Sequence, residues 1–290
     1  MSTVAYEIVD VFTDRPFAGN PLAVVYGAAD LAGDQMHTLA REFNLAETVF
    51  VLPPTTDQAT YRARIFTPEA ELPFAGHPSV GAAVTSMRRG LFEAGPVVQE
   101  CGAGLLPIEV GPSSAVLTGG TPTLGEPLDP AELLAMAGLG ADAYAGSDLA
   151  APRSAGCGLP WVFLPVRRDA LPAIRIDDVA AARLGVTELS VFSWEDGEAR
   201  ARVFVPGAAV PEDPATGSAA LGLGVWLVAS ALLPPEGTST YRIHQGIEMG
   251  RPSLLECTVT AAAGAATSAT VAGHVAPIAR GEITVPPFIG

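Results

Sequence analysis

Glu47 stands in Asn44-Leu45-Ala46-Glu47-Thr48-Val49-Phe50-Val51, just ahead of an apolar run. A carboxylate between Leu45 and Val49 is a candidate for burial, which raises a carboxyl pKa toward the range useful for general acid/base work near neutral pH. The ordinary alternative is a surface glutamate at a helix-to-strand turn. His77 follows Gly76 and precedes Pro78 at an expected helix start. There it could bind a substrate carboxylate or exchange a proton, or it could simply be a packed capping residue. Asp213 lies in Glu212-Asp213-Pro214-Ala215-Thr216-Gly217-Ser218, where an Asx-type turn is the usual work of aspartate. Ser218 and the backbone amides of Gly76 and Gly217 belong to the same two turns, and would hold an anion if those turns line a cleft.

Other chemistries find little support. HExxH, Walker A and GxSxG are absent from the sequence. Gly138-Leu139-Gly140-Ala141-Asp142-Ala143 loosely matches a dinucleotide fingerprint but follows a helical pattern rather than a strand. His37, His244 and His274 are isolated, so no metal-ligand cluster is expected. Cys101, Cys157 and Cys257 are odd in number, far apart and in no CxxC pair, which suggests a reducing cytosol rather than a disulfide framework or a zinc site. Nicotinamide, pyridoxal phosphate and metal are therefore all unsupported, and no cofactor is expected.

The elements that must position these residues are legible in the pattern. Hydrophobic residues make up 49% and charged residues 16% of 290, the composition of a compact globule with room for two domains. A net charge of -15 repels phosphate backbones and anionic lipid, so nucleic acid and membranes are poor partners and an anionic substrate must be held by local dipoles. The opening MSTVAYEIVDVF has no signal-peptide pattern, and a cytoplasmic location is expected. Ala215 to Leu233 is uncharged over 19 residues but rich in Ala and Gly, and reads as a buried small-residue helix rather than a membrane span. Strands are expected at 5–11, 22–25, 49–52, 161–166 and 202–205, and helices at 33–43, 79–89, 130–137, 176–184 and 218–232.

The two halves repeat. YRARIFTPEAELP (61–73) and ARARVFVPGAAVP (199–211) are identical at Arg62/Arg200, Ala63/Ala201, Arg64/Arg202, Phe66/Phe204, Pro68/Pro206, Ala70/Ala208 and Pro73/Pro211. Upstream, Ala40-Arg41 and Val49-Phe50 match Ala182-Arg183 and Val191-Phe192, and this alignment puts Leu189 opposite Glu47. Two collinear blocks make a duplicated domain the better account. In each half a strand runs through a Pro-bounded loop and a Gly-containing turn into a small-residue helix. Such helix starts carry unpaired amides and a positive dipole end. Two of them across a pseudo-twofold cleft would form an anion site.

The segments FTDRPFAGNPLAVV (12–25), NLAETVFV (44–51), AELPFAGHPSVGAA (70–83), EDPATGSAA (212–220), QGIEMGRPS (245–253) and VAGHVAPIARGEI (271–283) resemble the PhzF-like family over essentially the whole chain. The resemblance implies an α+β, diaminopimelate epimerase-like fold of two pseudo-symmetric domains, each a curved sheet around a central helix. The expected domains are 1–118 and 119–290, the last strand returning to the first domain. It further implies a cofactor-independent isomerase that moves a proton between carbons of a small carboxylate-bearing substrate resembling dihydro-hydroxyanthranilate, in specialised-metabolite biosynthesis, acting as a homodimer. By motif, the general acid/base falls on Glu47, and substrate-binding roles fall on Gly76, His77, Asp213, Gly217 and Ser218, with Asn20 a further contact. Epimerase relatives use a cysteine at each helix start; here Ala75 and Thr216 stand at the nearest positions, which argues against a two-thiol racemase. An amino-acid epimerase and a non-catalytic binding protein are the rival readings. The resemblance gives no role to His274.

Overall fold

Turn residues interrupt the apolar runs every few positions, leaving segments that alternate between core and surface; Ser253–Ala262 alternates without a break. The computed structural model describes residues 2–208 and 210–287, and divides into two units: Met1–Thr118 with Ala272–Gly290, and Gly119–Val271.

The first unit runs β1 (Thr3–Val11), β2 (Asn20–Tyr26), α1 (Gly33–Phe43), β3 (Glu47–Leu52), β4 (Tyr61–Phe66), β5 (Glu71–Leu72), α2 (Gly76–Arg88), β6 (Gly95–Cys101), β7 (Gly104–Val110) and β8 (Ser114–Thr118). β1 and β2 are antiparallel, β2 and β3 parallel with Leu22 beside Glu47, and β3 and β4 antiparallel. β4 then runs parallel to β6, and β6, β7 and β8 continue as an antiparallel meander. This sheet packs around α2, whose residues Gly76 to Ser86 are all buried. A helix can be surrounded in this way because its side chains are mostly small: Gly76, Ser79, Gly81, Ala82 and Ala83 let strands approach from every side. On the other face, Met36, Leu39 and Ala40 of α1 pack on Val25, Phe50, Leu52 and Phe66.

The second unit repeats the plan with β9 (Pro122–Pro127), α3 (Pro130–Met136), β10 (Arg153–Cys157), β11 (Pro160–Pro165), α4 (Asp178–Leu184), β12 (Leu189–Glu195), β13 (Glu198–Phe204), β14 (Glu212–Asp213), α5 (Gly217–Ala229), β15 (Gly237–Gln245) and β16 (Ser253–Ala262). The strand relations recur in the same order: β11 parallel to β12, β12 antiparallel to β13, β13 parallel to β15, β15 antiparallel to β16. Here α5 is the buried helix, and it lies within the uncharged stretch read from the sequence. Among the described residues no helix is long and apolar enough to cross a membrane. The final strand, β17 (Ala265–Thr284), belongs to the second unit up to Val271 and to the first from Ala272. There it pairs antiparallel with β1, from Val11 beside Val275 to Thr3 beside Thr284.

The repeated arginines have one job in both copies. Arg64 grips Glu71 through two hydrogen bonds of 2.7 Å, and Arg202 grips Glu212 through two of 2.8 Å. Each fork ties the two-residue strand before a central helix to the strand of the RAR segment, fixing how the chain enters the helix. The Pro-bounded loop of the second copy includes Ala209, which lies outside the described residues. Both central helices begin earlier than the sequence pattern indicates, at Gly76 and Gly217 rather than Ser79 and Ser218. Pro78 does not delay the start, because first-turn residues donate no intrahelical hydrogen bond and the proline loses nothing there.

Gly222 tests the surrounded-helix argument by the sign of its effect. A Cβ at Gly222 would lie 2.7 Å from the Ala155 carbonyl oxygen and 3.1 Å from the Phe163 ring. In an open helix Gly→Ala stabilises by about 1 kcal/mol. Here Gly222→Ala is expected to destabilise by roughly 1–3 kcal/mol through overpacking, read as a lower urea midpoint at unchanged m-value.

Candidate active site

In the first unit the chain brings Glu47, His77 and Asn20 together. α1 ends at Asn44, which takes the left-handed conformation (φ 50°) and donates its N–H to Ala40 O. Three residues later Glu47 opens β3, its side chain 18% exposed. Leu189, the aligned residue of the second unit, is completely buried at the head of β12. The fold therefore has no need of an acid at this position, and in one copy places a carboxylate where the other buries a leucine.

His77 is the second residue of α2 and is 4% exposed. Its Nδ1 lies 3.5 Å from Glu47 Oε2 and 3.2 Å from Asn20 Nδ2. Burial lowers its pKa from 6.5 to about 3, so the imidazole is neutral across the ordinary pH range. Asn20, for which the sequence reading expects a substrate contact, has no exposed surface and lies against His77. It is placed by the loop joining β1 to β2. Gly19 there has φ +66°, and a Cβ on it would lie 2.3 Å from Val11 O, so only glycine fits. Asp10 accepts the Phe17 N–H at 2.7 Å, holding the same loop from inside.

The helix start is braced by a chain of buried polar groups. Tyr61 donates to Gln99, Gln99 to the Ser79 hydroxyl, and Ser79 to Ala75 O, at 2.9, 2.9 and 2.8 Å. Helix geometry leaves the amides of Gly76 and His77 without intrahelical partners, and Pro78 has no N–H, so two donors stand at the positive end of α2 beside Glu47 and His77.

The second unit has a start of the same kind with different chemistry. Gln245 accepts the Thr216 N–H at 3.2 Å and donates to Thr216 Oγ1 at 2.9 Å and to Asp213 O at 2.7 Å. The Thr216 hydroxyl donates to the Asp213 carboxylate, and Trp161 donates to the Ser218 hydroxyl at 3.0 Å, which leaves the Ser218 O–H able to donate. Asp213 is thus tied to Thr216, the N-cap residue of α5, and sets a carboxylate beside the start of that helix. Gly217 and Ser218 are the first two residues of that helix.

Sequence reasoning passed over Gln99 and Gln245 as working residues. Gln99 follows Val97 and Val98 in a strand and gives no warning beyond being a buried polar residue among apolar ones; Gln245 opens one of the resembling segments. The three cysteines lie in strands β6, β10 and β16, away from the helix starts in sequence. Burial raises the thiol pKa at all three, to about 11 for Cys157. Ala75 and Thr216 are the N-cap residues of α2 and α5. The ring of His274 lies 3.4 Å from the Ser113 hydroxyl and its carbonyl takes the Thr13 N–H. Among the described residues no group of three or more His, Cys, Asp or Glu is gathered as for a metal ion.

Comparison with known proteins agrees with this architecture. Residues 9–281 match the family model for phenazine biosynthesis-like proteins, PhzC-PhzF. An uncharacterized isomerase of Mesorhizobium japonicum is 37% identical, the match covering 98% of this chain and 100% of the relative. The trans-2,3-dihydro-3-hydroxyanthranilate isomerase of Pseudomonas aeruginosa is 33% identical over 96% of this chain and 98% of that protein. A crystal structure of a phenazine biosynthesis protein of the PhzF family from Bacillus anthracis superposes with a TM-score of 0.87 at 23% identity, covering 98% of this chain and 100% of the other. The fold is that of the PhzF proteins and of the proline and diaminopimelate epimerases. With a carboxylate, a neutral histidine and a bare helix start gathered in one unit, and with this match from end to end, the chain is an isomerase belonging to the phenazine biosynthesis-like, PhzC-PhzF, family.

Proposed function

We propose that the protein moves a proton between two carbons of a small carboxylate-bearing molecule resembling trans-2,3-dihydro-3-hydroxyanthranilate, with Glu47 as the single acid/base. The observation that carries this reading is the contrast between Glu47 and Leu189. A partly buried carboxylate costs free energy that a leucine at the aligned position does not, and acid/base work explains why it is kept. Glu47 removes a proton from one carbon and returns it to another, so no redox partner is needed. As negative charge develops, the amides of Gly76 and His77 and the positive end of α2 stabilise it. A neutral His77 cannot deliver a proton near pH 7, so it acts as a hydrogen-bond partner. Within the second unit, Asp213, Gly217 and Ser218 stand at the start of α5, where an aspartate suits an amino group and the two donors suit an anion.

Glu47→Gln keeps size and hydrogen-bonding capacity while abolishing proton uptake. It is expected to lower deuterium incorporation from D2O into trans-2,3-dihydro-3-hydroxyanthranilate by about 10²–10⁴-fold, with unchanged thermal melting. Full exchange in the folded variant, followed by NMR, would remove Glu47 from the mechanism.

The amino-acid epimerase reading requires thiolates, and burial holds all three cysteines protonated. Incubation with iodoacetamide at pH 7.5 is expected to leave activity intact. Inactivation in step with alkylation would restore the thiol mechanism.

The state of His77 is also visible in stability. Its folded pKa, about 3, lies below the value of 6.5 it has when unfolded. The unfolded chain therefore takes up the extra proton, and folding stability falls as pH drops from about 6.5 toward 3 while staying flat above. Urea titrations should show this slope in the wild type and a shallower one in His77→Asn; equal slopes would mean that His77 is not held neutral by the fold.

A further inference from the structure

We infer that Asn20 is a positioning residue that fixes the tautomer of His77, so that the Nε2–H of this imidazole is the donor offered to substrate. Asn20 Nδ2 is an N–H donor and lies 3.2 Å from His77 Nδ1. A nitrogen that accepts a hydrogen bond carries its lone pair there, so the single proton of the neutral ring sits on Nε2. Asn20 is fully buried and His77 is 4% exposed, so water does not compete for this bond. Nε2 itself is buried and meets no hydrogen-bonding group among the described residues. A buried donor left unmet is destabilising, and a substrate oxygen at Nε2 removes that cost.

The arrangement also settles how Glu47 and His77 divide their work. Glu47 Oε2 is 3.5 Å from the same Nδ1. Without Asn20, the carboxylate would draw a proton onto Nδ1, raise the imidazole pKa and turn Nε2 into an acceptor. By occupying the Nδ1 lone pair, Asn20 keeps the two groups from forming an ion pair. The carboxylate stays available for the carbon-bound proton, and Nε2 stays a donor. The loop that Asp10 and Gly19 hold in place serves this end.

The tautomer can be read without substrate; only the catalytic consequence rests on Glu47 as the proton carrier. Long-range ¹H–¹⁵N spectra of uniformly labelled wild type at pH 7, with His77 assigned by its loss in His77→Asn, are expected to show a protonated Nε2 and an unprotonated Nδ1. A proton on Nδ1 in the wild type overturns the proposal. Asn20→Asp keeps the shape but replaces the donor with an acceptor. It should move the proton to Nδ1 and raise the His77 pKa. Removing one aligned donor in this way should lower kcat by about 100-fold, with a smaller effect on KM. Asn20→Asp that melts like the wild type and keeps the wild-type tautomer overturns the assignment. A reversed tautomer with unchanged kcat overturns the catalytic role, while Glu47→Gln, measured in parallel, reports on the isomerase mechanism alone.

Discussion

Burying a helix on all sides is the constraint from which the rest of this structure follows. A sheet can pack around α2 or α5 only if the helix carries small side chains, and only if its first turn is supplied with polar partners away from water. The small residues are there in both helices, down to Gly222, where Phe163 and a backbone carbonyl press on the helix. The polar partners arrive from neighbouring strands: Gln99 on β6 for the first helix, Gln245 on β15 for the second. An arginine–glutamate fork then locks the short strand leading into each helix. The outcome is a pair of helix starts that are rigid and electrically positive, inside a protein whose net charge is -15.

What distinguishes the copies is where the duplication has been broken. Glu47 stands against Leu189, Ala75 against Thr216, and the braces of the two helix starts differ. At the first start, the apolar N-cap leaves the amides uncapped, and a carboxylate and a neutral histidine lie within 3.5 Å of each other. At the second, where the N-cap side chain likewise makes no cap bond, the Thr216 hydroxyl donates to Asp213 and Gln245 ties both residues down. Under the proposed function the first serves a proton that moves and the second a group that is held. The same scaffold supports both because the brace, not the reactive group, carries the fold.

The sequence by itself determined a good deal. The RAR repeat, the apolar runs and the small-residue helices specified two similar α+β halves, since side-chain period and size are local properties of the chain. The helices at 33–43, 130–137 and 176–184 were legible from their amphipathic spacing, and the Asp129-Pro130 pair marks the start of α3 by capping, with Asp129 accepting the Ala131 N–H. Glu47, His77, Asp213, Gly217 and Ser218 could be named as candidates because they stand at element boundaries, where side chains are least needed for packing.

Only the tertiary structure decided which of those candidates meet and what each one touches. Glu47, His77 and Asn20 are separated by 27 or more residues along the chain, and their meeting depends on β2 pairing beside β3 while α2 passes beneath the sheet they form. The pKa of about 3 at His77 comes from its burial in the fold, and the tautomer of its ring from the amide of Asn20 at the start of β2. Gln99 and Gln245 were silent as residues because a glutamine in a strand looks like any other polar residue until its partners are in place. Local pattern fixes which elements form. Hydrogen-bond partnership and desolvation are properties of contacts between elements, and these exist only once the chain has folded.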